Sequence, residues 1–147
     1  MAAGTGVRVY NHLLGECGVT VFVSPALAAT YGRGFPGSMD GAPFLMPSAQ
    51  SALRRTLDAW LERAGVRPAV VAEFDDSSLL TTFGEAGVGL FAAPSAIRAE
   101  VRRQYRVRRL GSLPGARERF YAITVHRQIK HPAVAAISTA ARSRLRA

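Results

Sequence analysis

The chain has 147 residues, 48% hydrophobic and 20% charged, a balance that excludes disorder and fits one globular domain or two small lobes sharing strands. No apolar stretch approaches the ~20 residues of a membrane span. The Met-Ala-Ala-Gly-Thr-Gly start lacks the basic and apolar parts of a secretory signal, and a single cysteine excludes an internal disulfide framework. The expected location is therefore cytoplasmic, with no membrane partner.

Taken in chain order, Val19-Thr20-Val21-Phe22-Val23 is β-branched and apolar on both faces, as a buried strand should be. Pro25 opens a short helix to about Tyr31, and the glycine-rich stretch Gly32–Ala42 is a loop. Phe44-Leu45-Met46 is a second strand. Leu53, Leu57, Trp60 and Leu61 then recur at i, i+4, i+7 and i+8, an amphipathic helix that begins after Pro47-Ser48 and stops at Gly65. Ala69-Val70-Val71-Ala72 is the third strand, and Asp75 or Asp76 starts a helix that reaches about Phe83 and ends at Gly84. Leu90–Ala93 is the fourth strand, closed by Pro94. Ser95 is expected to cap a helix to about Tyr105, followed by short strands at Val107–Leu110 and Phe120–His126. A last helix is expected from Pro132 to Arg144. Strands alternating with helices in this way predict an α/β fold, a mainly parallel sheet with flanking helices. Ligands of such sheets bind at the carboxyl ends of the strands, here Met46-Pro47-Ser48, Phe74-Asp75-Asp76 and Ala93-Pro94-Ser95.

The net charge of +9 raises nucleic acid as a partner, but it is unevenly placed. Residues 1–97 carry six Arg against eight acids, and residues 98–147 carry thirteen basic residues against two acids. Arg102–Arg103 and Arg108–Arg109 are the densest clusters, and neither a basic–aromatic stacking pattern nor a recognition helix accompanies them. The expectation is a solvated, arginine-rich face; a basic nucleic-acid-associated protein is an alternative.

Enzyme chemistry finds little support. Gly84, Gly87 and Gly89 have the wrong spacing for a dinucleotide fingerprint and lie between helix and strand, not strand and helix. There is no phosphate-binding loop and no nucleophile elbow. His12, His126 and His131 lack partners at metal-ligand spacing, and Cys17 beside an apolar strand reads as a buried, inert thiol. The reading is no enzyme and no cofactor. What stands out is Glu73, Asp75 and Asp76 at one helix start. One Asp there is an N-cap that also complements the helix dipole. Three carboxylates would repel an anion, so the surplus points to a cation, an amine or a buried hydrogen-bond network.

Three further segments carry a resemblance. Leu14-Gly15-Glu16-Cys17-Gly18-Val19, Ala72-Glu73-Phe74-Asp75-Asp76-Ser77-Ser78-Leu79 and Lys130-His131-Pro132-Ala133-Val134 resemble LysR-type transcriptional regulators, and more narrowly the subgroup that activates sodium/proton antiporter genes. Gly87-Val88-Gly89-Leu90-Phe91-Ala92-Ala93-Pro94 is similar to the glycine-rich strand of their effector domains. The resemblance implies a fold like a type 2 periplasmic binding protein, with an inducer held in the cleft between two lobes. It implies that 23–111 form the second lobe, that 14–22 and 118–147 are crossover strands and the closing helix of an incomplete first lobe, and that 1–13 are a leader or linker.

The winged helix–turn–helix and the opening of the first lobe have no counterpart here, so DNA binding is carried over to no residue; the chain reads as an N-terminally truncated regulator. The cleft residues implied are Pro47, Ser48, Glu73, Asp75, Asp76, Ser77 and Gly87, facing a small-molecule or cation effector. Ser48 and Ser77 are expected to cap their helices, and Glu16 to be a solvated surface acid. A free-standing solute-binding protein of the same fold is a second alternative. Ile123, Val125, Ile129, Val134 and Ile137 would lack their usual partners, which leads to expected self-association.

Overall fold

The computed structural model describes residues 8–124, 139–143 and 145, and the chain divides into two compact units, residues 18–118 and the flanking residues 1–17 with 119–147. In the flanking unit, β1 (Tyr10–Cys17) pairs with β7 (Glu118–Thr124). β1 begins inside the stretch expected as leader, because its pattern is set by pairing and not by apolar alternation. Tyr10, His12 and Leu14 are half-buried while Asn11 and Leu13 are exposed, and His12 Nε2 lies 2.8 Å from Thr124 Oγ1. Residues 139–143 and 145 are helical. Of the apolar patch expected there, Ile123 is 68% exposed, and Val125, Ile129, Val134 and Ile137 lie outside the described residues, as do His126 and Pro132.

In the central unit β2 (Val19–Val23) has the bounds expected of it, begins just after Gly18 and is buried throughout. α1 (Pro25–Tyr31) starts at Ser24, whose hydroxyl accepts the Leu27 N–H, with Pro25 at the position where a missing N–H costs nothing. β3 (Pro43–Pro47) leads to α2 (Ala52–Ala64), which ends on Gly65 in the left-handed conformation at φ 68°. β4 (Ala69–Phe74), α3 (Ser77–Glu85), β5 (Phe91–Pro94), α4 (Arg98–Gln104) and β6 (Arg108–Ser112) complete the unit. A 3-10 turn over Ser95–Ile97 precedes α4.

β2 is the centre of this unit, flanked by β5 and β6 and antiparallel to both. β3 and β4 pair in parallel. A parallel bridge between Phe44 and Leu90 joins β3 to the start of β5, closed by Leu45 N–H donating to Leu90 O at 2.7 Å and Leu90 N–H to Pro43 O at 2.8 Å. Thus β3, β4, β5 and β6 share one direction and β2 opposes them. The α/β class with a mainly parallel strand direction holds, and β2 is the antiparallel strand of the central unit. A parallel return requires a crossover that carries the chain back along the sheet. Seven-residue α1 rises only about 10 Å, and the glycine-rich loop after it leaves the chain free to start β3 in the opposite sense.

The two faces of β2 supply two cores. Val19, Val21 and Val23 join Leu57, Trp60 and Leu61 of α2, and Trp60 Nε1 donates to Pro114 O at 2.7 Å. Phe22 joins Phe91, Leu80 of α3 and Val101 of α4, with the Phe22 and Phe91 rings stacked at 5.5 Å. Each such ring contributes about 1.5–3 kcal/mol by burial. α2 therefore packs on one side of the sheet and α3 and α4 on the other. β4 has β3 as its pairing neighbour at the edge, which leaves Val70 and Val71 46% and 51% exposed despite their apolar run.

Candidate functional site

At the carboxyl ends of β3, β4 and β5, the central unit forms a half-open cavity of about 320 Å3. Each strand end feeds a helix start across it: Pro47 and Ser48 before α2, Phe74 and Asp75 before α3, Pro94 and Ile97 before α4. This is where open α/β sheets hold ligands, because helix starts and loop backbone converge there. Its polar lining includes the hydroxyls of Ser48, Ser51, Ser77 and Thr81, the carboxylates of Asp75 and Glu100, and the amide of Gln104. Its apolar walls include Phe74, Pro94, Ile97 and Tyr105.

Of the residues expected in the site, Pro47, Ser48, Asp75 and Ser77 line this cavity. Glu73 does not. Alternation along β4 turns Ala72 and Phe74 toward the Phe22 core and Glu73 to the other face, where its Oε1 meets Arg54 Nη1 at 2.9 Å. The same guanidinium donates from Nε to Asp58 at 3.1 Å and from Nη1 to the Pro47 carbonyl at 3.0 Å. Burial lowers the Arg54 pKa, but hydrogen bonds to Asp58 and Glu73 outweigh it, and the group is held above its ordinary value. Glu73 thus helps fix the end of β3 without facing the cavity.

Asp76 is the N-cap of α3: its Oδ1 accepts the Ser78 N–H at 2.8 Å and the Leu79 N–H at 3.3 Å. Gly87 lies beyond the far end of α3, about 13 Å along a nine-residue helix from its start. It takes φ 85° there and lines a different hollow with Ser24, Glu85 and Arg106. Neither Ser48 nor Ser77 is a cap, since Ser51 caps α2 and Asp76 caps α3. Ser95 does not cap α4 either. It is buried with its Oγ 2.7 Å from Thr20 Oγ1, satisfying a hydroxyl on the central strand. Glu16 lies on the surface as expected and pairs with Arg119 at 3.3 Å.

The residues missed in the sequence are those of the third wall: Ile97, Glu100, Val101, Gln104 and Tyr105. The signal was present as the i, i+4 pairs Ile97/Val101 and Glu100/Gln104, but it sits in the arginine-rich third whose charge suggested a solvated face. Arg98, Arg102 and Arg103 of α4 are indeed exposed. Among the described residues no group of three or more His, Cys, Asp and Glu is placed to hold a metal ion. No helix among them is long and apolar enough to cross a membrane.

Residues 7–146 match the family model described as the LysR substrate binding domain. The chain is 30% identical over 126 residues to the transcriptional activator protein NhaR of Escherichia coli (strain K12) and equally to that of Shigella flexneri, covering 86% of this chain. It spans 41% of the length of these relatives. Among solved structures, it is similar to the effector-binding domain of QuiR in complex with shikimate (TM-score 0.65, 15% identity, 99% of this chain and 68% of that one). It is likewise similar to the effector domain of the transcriptional regulator AmpR of Pseudomonas aeruginosa (TM-score 0.64, 21% identity, 94% and 65%). These two likenesses concern the fold.

Proposed function

The chain belongs to the LysR substrate-binding-domain family, and on that premise we propose that it is the effector-sensing part of a LysR-type transcriptional activator, with the cavity at the ends of β3, β4 and β5 as its effector site. The observation that carries this reading is the cavity itself, formed within a matched effector domain at the position where α/β sheets take ligands. The family is one of regulatory effector domains and not of enzymes. The resemblance to antiporter-gene activators, together with 30% identity to a transcriptional activator, supports control of a sodium/proton antiporter in response to a cation or alkaline pH. In this reading Asp75, Ser48, Ser77 and Pro47 face the effector, while Glu73 and Asp76 hold the strand end and helix start that present them. DNA contact belongs to the winged helix–turn–helix that the resemblance implies, and the regulator works in the cytoplasm.

Deleting the gene is expected to abolish the rise in antiporter transcript on a sodium or alkaline shift. A Ser48→Trp variant, which fills the cavity, is expected to reproduce that loss at normal protein level. A transcript that still rises in the deletion strain would refute the regulatory target. Normal induction with Ser48→Trp would refute the cavity as the effector site.

A further inference from the structure

The cavity has a charge opposite to that of the chain that contains it. The molecule carries +9, yet among the described residues the ionisable side chains of the lining are those of Asp75, Glu100 and Tyr105, with no Arg or Lys. Positive groups nearby are already engaged. Arg54, which touches Pro47 of the rim, is shared between Asp58 and Glu73, two acids to one base. Glu100 already has Arg103 as a partner at 3.7 Å, through a guanidinium side chain that is 69% exposed. A helix start would ordinarily draw an anion through its free N–H groups. At α3 the Asp76 carboxylate already accepts the Ser78 and Leu79 N–H groups, while Asp75 beside it lines the cavity. Among the described residues no ion pair reaches Asp75.

The lining also has apolar and aromatic residues beside these acids, Phe74 next to Asp75 and Ile97 and Tyr105 on the segment that carries Glu100. A bare metal ion would gain nothing from those surfaces and would need several oxygen ligands in their place. An ammonium group on a hydrocarbon or aromatic body uses both kinds of lining, through charge-assisted hydrogen bonds to the acids and burial and ring contact with the apolar residues. Resting on the reading of this cavity as the effector site, we infer that its ligand is a small organic ammonium ion, its charge answered by Asp75 and Glu100 and its apolar body lying against Phe74, Ile97 and Tyr105.

The test is thermal unfolding of the full chain, with titration calorimetry, against three probes of one shape: phenethylammonium chloride, 2-phenylethanol and sodium 3-phenylpropionate. Sodium chloride at matched ionic strength is the bare-cation arm. The expected result is a midpoint raised by the ammonium probe beyond the other three, with affinity weakened at least about tenfold in both Asp75→Asn and Glu100→Gln. Loss of the shift in Ser48→Trp would place that binding in the cavity. A larger shift with the carboxylate or the alcohol, also lost in Ser48→Trp, would overturn the ammonium ligand and leave the cavity as an effector site. Sodium chloride alone producing the shift would overturn it in favour of a bare ion. Ammonium binding unchanged in Ser48→Trp, or no shift with any probe, would overturn it too. The induction assay on Ser48→Trp then decides separately whether the cavity is the effector site.

Discussion

Asp75 and Asp76 are adjacent and both exposed, yet they do different work, and mutation separates them. Asp76→Ala removes an N-cap whose Oδ1 accepts two backbone N–H groups, at 2.8 and 3.3 Å. The lost cap costs about 1 kcal/mol and the lost charge at the helix start about 0.3–1 kcal/mol more. A total of about 1–2 kcal/mol lowers the unfolding midpoint by roughly 3–6 °C for a chain of this size. Asp76→Asn keeps a good capping oxygen and is expected to lose only the charge contribution. Asp75→Ala breaks no cap and no ion pair among the described residues, so its stability stays within about 0.5 kcal/mol of the parent. Urea unfolding of the variants side by side, with unchanged slopes, gives the comparison. Asp75→Ala as destabilising as Asp76→Ala, or Asp76→Ala without effect, would refute the division of labour between cap and cavity.

Gly84→Ala should destabilise by about 1–3 kcal/mol, because an added methyl would overlap the Phe91 ring against which α3 packs; a neutral result by urea unfolding would show that α3 can move away. Glu73→Gln should change stability by less than about 0.5 kcal/mol, since its partner keeps Asp58 and the pair is half in water; salt titration of the unfolding midpoint checks it. Glu118 is 6% exposed with Oε1 buried and without a hydrogen-bond partner, and burial raises its carboxyl above the ordinary value. The folded state therefore binds that proton more tightly than the unfolded one, so its contribution to stability falls as pH rises from the unfolded pKa through the raised folded one. Glu118→Gln is expected to be more stable than the parent by about 1 kcal/mol at pH 7, with the gap closing as pH falls toward 4. A gap that stays constant with pH would assign the effect to packing and not to charge.

Much of the fold was legible because it is local. Val19–Val23 and Pro25–Tyr31 have the bounds their residues predict, and the Leu53–Leu61 periodicity and the Gly65 stop define α2. Boundaries failed where tertiary contacts chose among equals. Ser48, Ser51, Ser77 and Ser95 can all cap in principle; Ser51 and Asp76 do so, and Thr20 takes Ser95. The cavity was half legible. Pro47, Ser48, Asp75 and Ser77 sit at strand ends visible in the sequence, whereas Glu100 and Gln104 enter from a helix whose surrounding arginines pointed to solvent.

The sequence by itself determined the α/β class, the order of most elements and the family, since propensity, apolar periodicity and short motifs depend on residues within a few positions of each other. It also placed three carboxylates within four positions just before one helix. Only the tertiary structure decided that each of them has a different partner: Glu73 turned to Arg54 by strand alternation, Asp76 to the α3 backbone, and Asp75 to the cavity. It alone set β2 against the direction of its neighbours and brought α4 across to close the site. Those outcomes depend on which strands become neighbours and which faces are buried, quantities that arise from contacts between residues far apart in the chain.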